Sequence, residues 1–158
     1  MGGTHFSHPR YAPKKGLRQD LKSTDLAWFA GFVDGEGCLG IYPNGDKYGR
    51  RFVGRLIVFN TDILPIEAIA GFYTKEAGIR FRKTFNKCKP HWRPIYRLEV
   101  QQQVLLDTLS ALLPYLKNKQ EQAWVMMNYL ISRHSNQHHP SEKLFADYAA
   151  DIARLKVA

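Results

Sequence analysis

Apolar and polar positions change their spacing several times along the chain, and each change marks a predicted element. Apolar residues recur at helical spacing in some segments and alternate with polar residues in others. Ser23 or Thr24 would cap the first helix, and Gly78 would end the second. In chain order the pattern predicts a helix over 25–34, strands over 38–43 and 51–59, a helix over 62–77, strands over 79–87 and 91–100, and helices over 102–116, 119–134 and 141–156. This order is typical of an α+β fold with a four-stranded, mostly antiparallel sheet and additional C-terminal helices.

Arginine occupies one face of the predicted strands. Because side chains alternate between faces, the positions opposite the apolar ones share a surface. That surface would carry Arg51, Arg55, Arg80, Arg82, Arg93 and Arg97. A solvated sheet face is the ordinary alternative, but such faces mix charges of both signs, and here Glu99 stands nearly alone. The pattern therefore favours DNA binding, with arginines on phosphates and guanine edges. Tyr42, beside the first hairpin, either touches DNA or lies in a solvent-exposed turn.

The charge balance agrees with a nucleic-acid partner. The 158-residue chain has 23 lysines and arginines against 14 acidic residues, a formal net charge of +9. Such a surface attracts polyanions. A membrane surface is disfavoured because no basic amphipathic helix with an extended apolar face is present. Double-stranded DNA is thus the expected partner, and RNA suits a basic surface equally well.

Composition also indicates how the chain divides into an arm and a domain. Residues 1–22 are basic, polar and proline-containing, and predict a flexible arm that is either a solvated tail or a nucleic-acid-binding segment. Residues 23–158 are long enough for a single domain with its own core. Two cysteines exclude a disulfide scaffold, and we find neither a membrane-spanning run nor a signal-peptide core. These features predict a soluble, intracellular protein.

The segment 28–37 joins a small-residue helix to two acids, Asp34 and Glu36, each followed by glycine. Acids at a helix C-terminus are destabilised by the helix dipole, so a functional explanation is needed. A stripe of Ala27, Ala30 and Gly31 would let a second helix approach closely.

If that second helix comes from an identical chain, two-fold symmetry brings two Glu36 carboxylates together. Such a pair stays ionised only beside a divalent cation, and oxygen ligands select Mg²⁺. The residues thus predict a homodimeric, metal-dependent nuclease. The alternative, surface acids after a buried helix, has similar weight from the residues alone.

Trp28–Gly37 resembles the motif of the LAGLIDADG homing endonucleases, specifically the single-motif members that act as homodimers. Phe29–Gly37 matches the pattern throughout, with Phe at the usual leucine and Glu at the final acid. The resemblance extends over about residues 24–135, where the predicted elements follow the family order αββαββα. The segment 114–120 also resembles the one in which the family carries a lysine of the catalytic site.

The resemblance implies a role for each matching residue. Glu36 and the Gly35 carbonyl would bind metal, and Asp34 would be the more structural acid at the helix interface with Ala27, Ala30 and Gly31. Lys119 would act near the scissile phosphate, unless it is a plain exposed lysine. Asn60 would order catalytic water, unless it only caps the next helix. Some family members carry a further arginine that has no counterpart here, because Leu64 lies near the corresponding position.

The resemblance further implies a saddle-shaped sheet over the DNA major groove. Each homodimer would make a double-strand break in a long pseudo-palindromic target, using Mg²⁺ or another divalent cation such as Mn²⁺. An intron RNA maturase, with intron RNA as its partner, or a non-cleaving DNA-binding regulator are the alternatives on the same fold.

Overall fold

The described residues form five helices and four strands in the order that the apolar pattern predicts, αββαββααα. The computed structural model describes residues 16–46, 49–135 and 142–157, and the side chains of 44–46, 49–51, 134–135 and 142–144 lie outside that description. The elements are α1 (Ser23–Glu36), β1 (Gly37–Asp46), β2 (Gly49–Asn60), α2 (Ile63–Ala70), β3 (Arg80–Thr84), β4 (Ile95–Gln101), α3 (Gln102–Leu112), α4 (Gln120–Ser135) and α5 (Glu142–Val157).

The four strands form one sheet in the order β1-β2-β4-β3, and every neighbouring pair is antiparallel. The predicted α+β class with a four-stranded antiparallel sheet is therefore confirmed. Gly37 pairs with Val58 at the end of the sheet where α1 enters β1. This register places the C-terminus of α1 at that end of the sheet.

The core lies between one face of the sheet and the helices. Leu39, Leu56 and Leu98 are fully buried on three neighbouring strands, and Met126 and Tyr129 of α4 pack in the same core. Gly54 permits this packing, because a Cβ there would lie 2.7 Å from the Met126 sulfur. With helices on one side, the opposite face of the sheet is available for function.

The first helix differs from its predicted bounds at both ends. Lys22 is the N-cap, and its backbone N–H donates to Asp25 Oδ2 at 3.0 Å, so neither Ser23 nor Thr24 caps the helix. The Asp25 side chain therefore accepts the backbone N–H of the N-cap residue, as in one half of a capping box. At the other end Glu36 is the last helical residue instead of lying beyond the helix.

The second helix is shorter than predicted. It ends at Ala70, before Gly71, instead of continuing to 77. The chain after it turns and pairs with the segment before α1: Leu17 forms a bridge with Tyr73, and Arg18 N–H donates to the Phe72 carbonyl at 2.8 Å. Tyr73 is buried with its hydroxyl 2.9 Å from Thr108. Tertiary contacts therefore override helix propensity here, and this part of the predicted arm lies against the domain.

Strands β3 and β4 are also shorter than predicted, and residues 85–94 form the connection between them. Trp92 packs under Lys89, whose ammonium lies 4.1 Å from the ring centroid. No helix among the described residues is long and apolar enough to cross a membrane.

Candidate active site and nucleic-acid interface

The end of α1 presents one acid to solvent. Glu36 is exposed, and its carboxylate has no hydrogen-bond or ion-pair partner within the described part of the chain. Gly37 is required directly after it, because a Cβ there would lie 2.6 Å from the Val33 carbonyl oxygen. A Cβ on Gly35 would meet nothing within 4 Å. The tight α1–β1 junction therefore fixes the backbone around Glu36 and leaves its carboxylate available.

Asp34 is tied to a distant loop. Its carboxylate accepts from three successive backbone N–H groups, those of Lys117 (2.7 Å), Asn118 (3.2 Å) and Lys119 (3.0 Å). Consecutive amides that converge on one carboxylate form a local anion site just before α4. Because Asp34 lies at the unfavourable end of α1, these donors offset the repulsion from the helix dipole.

Lys119 is drawn to the same place. Its ammonium donates to the Asp34 backbone carbonyl at 2.5 Å, and its own carbonyl accepts from Ala123 N–H at the start of α4. Its side chain is half-buried. The structure thus brings Lys119 to the end of α1, two residues from Glu36, although 83 residues separate the two in sequence.

Asn60 ends β2 at the same end of the sheet, two residues beyond the Val58–Gly37 pair. Its side-chain oxygen accepts from Asp62 N–H at 2.8 Å, and Asp62 in turn caps α2 by accepting from Leu64 N–H at 3.0 Å. Asp62 is therefore the N-cap of α2, and Asn60 holds the turn that precedes it. Leu64 is exposed and adds no charge.

Metal ligation needs more donors than the described part of one chain supplies. We find no group of three or more His, Cys, Asp or Glu side chains there that could hold an ion. Glu36 and the Gly35 carbonyl are hard oxygen donors of the kind that Mg²⁺ prefers, and Mg²⁺ usually keeps waters or phosphate oxygens as further ligands. The donor set therefore fits part of a magnesium site.

The outward face of α1 is made of small residues around one large one. Ala27, Gly31 and Gly35 are exposed, and a Cβ on Gly31 would meet nothing within 4 Å. Trp28 is 43% exposed and packs on Phe32 and Phe72. Ala30 does not belong to this surface: it is fully buried in the core of its own chain, because it lies on the side of α1 that faces the sheet. Its predicted place in a dimer interface is therefore corrected.

Most of the predicted arginines do share the sheet face that points away from the helices. Arg55 pairs with Gly40 and Gln101, and Arg97 pairs with Phe59 and Arg82, so the cross-strand register places them on one surface with Arg80 and Tyr42. Arg93 is exposed in the connection before β4 and lies outside the strand. The side chain of Arg51 lies outside the described residues.

Tyr42 sits in a packed corner of this face. Its ring lies over Gly40, where a Cβ would come within 2.5 Å of it, and the Arg55 guanidinium lies 5.8 Å from the ring centroid. Burial, aided by a contact with the Cys38 sulfur, raises the pKa of the Tyr42 phenol. The phenol therefore stays neutral at physiological pH and offers a hydrogen bond instead of a charge.

Comparison with solved structures identifies the fold. The homing endonuclease I-CvuI, in complex with its DNA target, is 26% identical with a TM-score of 0.63 over 84% of this chain and 82% of its own. The archaeal intron-encoded homing endonuclease I-Vdi141I, complexed with DNA, is 16% identical with a TM-score of 0.64 over 84% of each chain. The LAGLIDADG homing endonuclease I-GzeII is 18% identical with a TM-score of 0.52, over 82% of this chain and 43% of its own. The chain has the fold of the LAGLIDADG homing endonucleases and resembles them over most of its length.

No protein-family model and no curated protein sequence matches this chain. The resemblance read from Trp28–Gly37 is nevertheless confirmed by the structural matches. The short motif retains Gly37, which the α1–β1 junction requires, and both acids, even though overall identity is low.

The sequence analysis does not single out two residues near the candidate site. Phe59 is 43% exposed on the arginine face, and continuing the β2 alternation from Arg55 by two steps would have found it. Lys156 in the last turn of α5 reaches back to β1, with its ammonium 3.3 Å from the Cys38 sulfur. Basic residues in a last helical turn ordinarily complement the dipole, so the sequence carried no specific signal for this contact.

Proposed function

We propose that this protein is a site-specific DNA endonuclease that hydrolyses phosphodiester bonds as a homodimer with Mg²⁺. The observation that carries the proposal is the junction at the end of α1. There Glu36 is exposed and has no partner among the described residues, and Lys119 is bound to the carbonyl of Asp34, two residues before Glu36. The arginine face of the sheet begins at the same junction, because β1 follows Glu36 directly.

Each group at this junction has a chemical task. Glu36 and the Gly35 carbonyl would hold Mg²⁺, with Mn²⁺ as a substitute. The bound ion would supply Lewis acidity and lower the pKa of a ligated water. Lys119 offers an ammonium that stabilises charge developing on a phosphate oxygen. The three amides on Asp34 keep this lysine near Glu36 without consuming the Glu36 carboxylate.

The homodimer is supported by what one chain lacks. A double-strand break needs two hydrolyses, yet the described residues present a single free acid of this kind at the helix end. The exposed faces of Ala27 and Gly31 leave room for a second backbone. The chain also matches 82% of I-CvuI but only 43% of I-GzeII, as expected if a second copy completes the site.

DNA is the proposed substrate because the arginine face has the required charge and shape. Arg55, Arg80, Arg82 and Arg97 lie on adjacent strands of one open sheet face. Two-stranded and larger sheets can enter the major groove, where arginine contacts guanine and phosphate. Symmetry of a homodimer would require two matching half-sites.

The test is cleavage of a randomised duplex library by the full chain in Mg²⁺, with sequencing of the cut ends. We expect a single pseudo-palindromic target, cut on both strands, and no cutting in EDTA. Binding without cutting in Mg²⁺ or Mn²⁺ would favour the non-cleaving regulator. Tight binding to structured RNA, with neither binding nor cutting of duplex DNA, would favour the RNA maturase.

Charge introduced on the α1 face should dissociate the dimer. In Ala27→Glu or Gly31→Glu, an unpaired carboxylate would be buried between two helices, at a cost of several kcal/mol. We expect the dimer dissociation constant to rise by roughly 100-fold or more, measured by analytical ultracentrifugation. Double-strand cleavage should fall in parallel.

Ser110→Glu is the matched control, because Ser110 is exposed on α3, away from the α1 face. It should leave association unchanged. A protein that is monomeric with and without DNA before any substitution would refute the shared site.

A further inference from the structure

One acid is buried in the middle of the arginine face. Glu99 is only 3% exposed, although it lies on the sheet face opposite the hydrophobic core. Cross-strand pairing puts Ile57 on one side and Arg80 on the other, and Arg97 and Gln101 flank it along β4. Two of its four neighbours on this face, Arg80 and Arg97, are therefore arginines proposed to meet DNA.

Glu99 holds one of these arginines directly. A guanidinium nitrogen of Arg97 lies 2.5 Å from Glu99 Oε1. Arg97 also stands directly opposite Arg82 in the β3–β4 register, a like-charge pair that destabilises a sheet. The buried carboxylate compensates this repulsion, so Arg97 is oriented before any ligand binds, while Arg82 remains exposed.

The surrounding donors lack acceptors. Arg97 Nε, Arg55 Nε and Gln101 Nε2 are all buried without a hydrogen-bond partner in the described structure. Arg55 and Gln101 are directly paired across the strands, so two of these donors are neighbours. Donors without a partner are costly, and a ligand or a water molecule that brings acceptor atoms within reach would satisfy them. In the major groove guanine presents two such acceptors, N7 and O6.

We propose that Glu99 is a positioning residue that sets base specificity by holding Arg97 for a guanine in each half-site. The inference rests on the proposed DNA binding by this face. A purely structural Glu99 would stabilise the domain without favouring any base. The two roles therefore differ in base preference, which stability measurements do not report.

The experiment compares base preferences selected from one duplex library, with a random segment of about two helical turns, roughly 20 base pairs. Binding is selected in Ca²⁺ for the wild type, Glu99→Gln, Glu99→Asp and Arg97→Lys. Glu99→Gln keeps shape and an acceptor but loses the charge, and Arg97→Lys keeps the charge but loses the planar fork. We expect Glu99→Gln and Arg97→Lys to lose preference for guanine at the same position, by about 5- to 150-fold, and the other positions to stay unchanged.

Asp107→Asn is the matched control, because it removes one exposed charge on α3 and should leave the profile unaltered. If Glu99→Gln does not fold, Glu99→Asp keeps the buried charge but withdraws it by one methylene, and should lose part of the same preference. Variants at Glu99 with the wild-type profile would overturn this inference alone, as would losses at a position different from that of Arg97→Lys. Failure of the wild type to select any duplex would overturn the proposed function as well.

Discussion

Replacing Glu36 by glutamine should abolish DNA cleavage and leave DNA binding intact. The amide keeps the size of the side chain but removes the charge that a hard divalent ion requires. Metal-assisted stabilisation amounts to several kcal/mol, so we expect the single-turnover cleavage rate to fall on the order of 10³-fold or more. Gel-based cleavage of the selected target measures the rate, and a fluorescence binding assay in Ca²⁺ measures affinity.

Binding should survive, or tighten slightly, because Glu36 is an exposed anion close to the phosphates. Glu76→Gln provides the control, since Glu76 is exposed in the turns after α2 and should not affect cleavage. Cleavage at the wild-type rate by Glu36→Gln would exclude the mechanism while leaving the fold assignment untouched.

Replacing Asp34 by alanine should have the largest effect on stability among the residues of the site. Three backbone donors of 117–119 would lose a charged acceptor, and the loop before α4 would lose its attachment to α1. These amides are partly solvated, so water replaces part of the loss, and we expect about 2–3 kcal/mol of unfolding free energy to disappear. That corresponds to a melting temperature lower by roughly 5–10 °C.

Asp34→Asn keeps one acceptor oxygen and should lose about half as much, which separates hydrogen bonding from packing. Asp62→Ala removes a single cap bond, from Leu64 N–H, and should lower the free energy of unfolding by about 1 kcal/mol. Urea titration of all three variants measures these losses. Cleavage should fall with Asp34→Ala but not with Asp62→Ala, because only Asp34 positions Lys119. Equal losses of stability in the Asp34→Ala and Asp62→Ala variants would contradict the proposed anchoring of residues 117–119 by Asp34.

The helices and strands illustrate where sequence patterns succeed. β2 was predicted almost to its ends, because its alternating apolar and basic residues have to face opposite sides of a sheet. α2 was predicted too long, because the apolar residues after Gly71 suit a helix but pack instead against α1 and residues 16–18. Local propensity cannot anticipate such a contact, since its partner lies more than 40 residues earlier.

The site residues divide in the same way. Glu36 and Gly35 were predicted from one contiguous motif, and Arg55, Arg80, Arg82 and Arg97 from strand periodicity. Ala30 was misplaced because a helical stripe does not reveal which side meets the core of its own chain. The pairing of Arg97 with a buried Glu99, and the reach of Lys156 to Cys38, depend on the packing of side chains.

By itself the sequence determined the α+β order of elements, the basic strand face and the resemblance to the LAGLIDADG homing endonucleases. These are local or periodic properties, and a short stretch of chain is enough to express them. Only the tertiary structure decided that Asp34 accepts the amides of 117–119, that Lys119 therefore reaches the end of α1, and that β2 and β3 place Ile57 and Arg80 on either side of Glu99. These are contacts between distant segments, and they form only because the shared hydrophobic core holds the sheet and the helices in one arrangement.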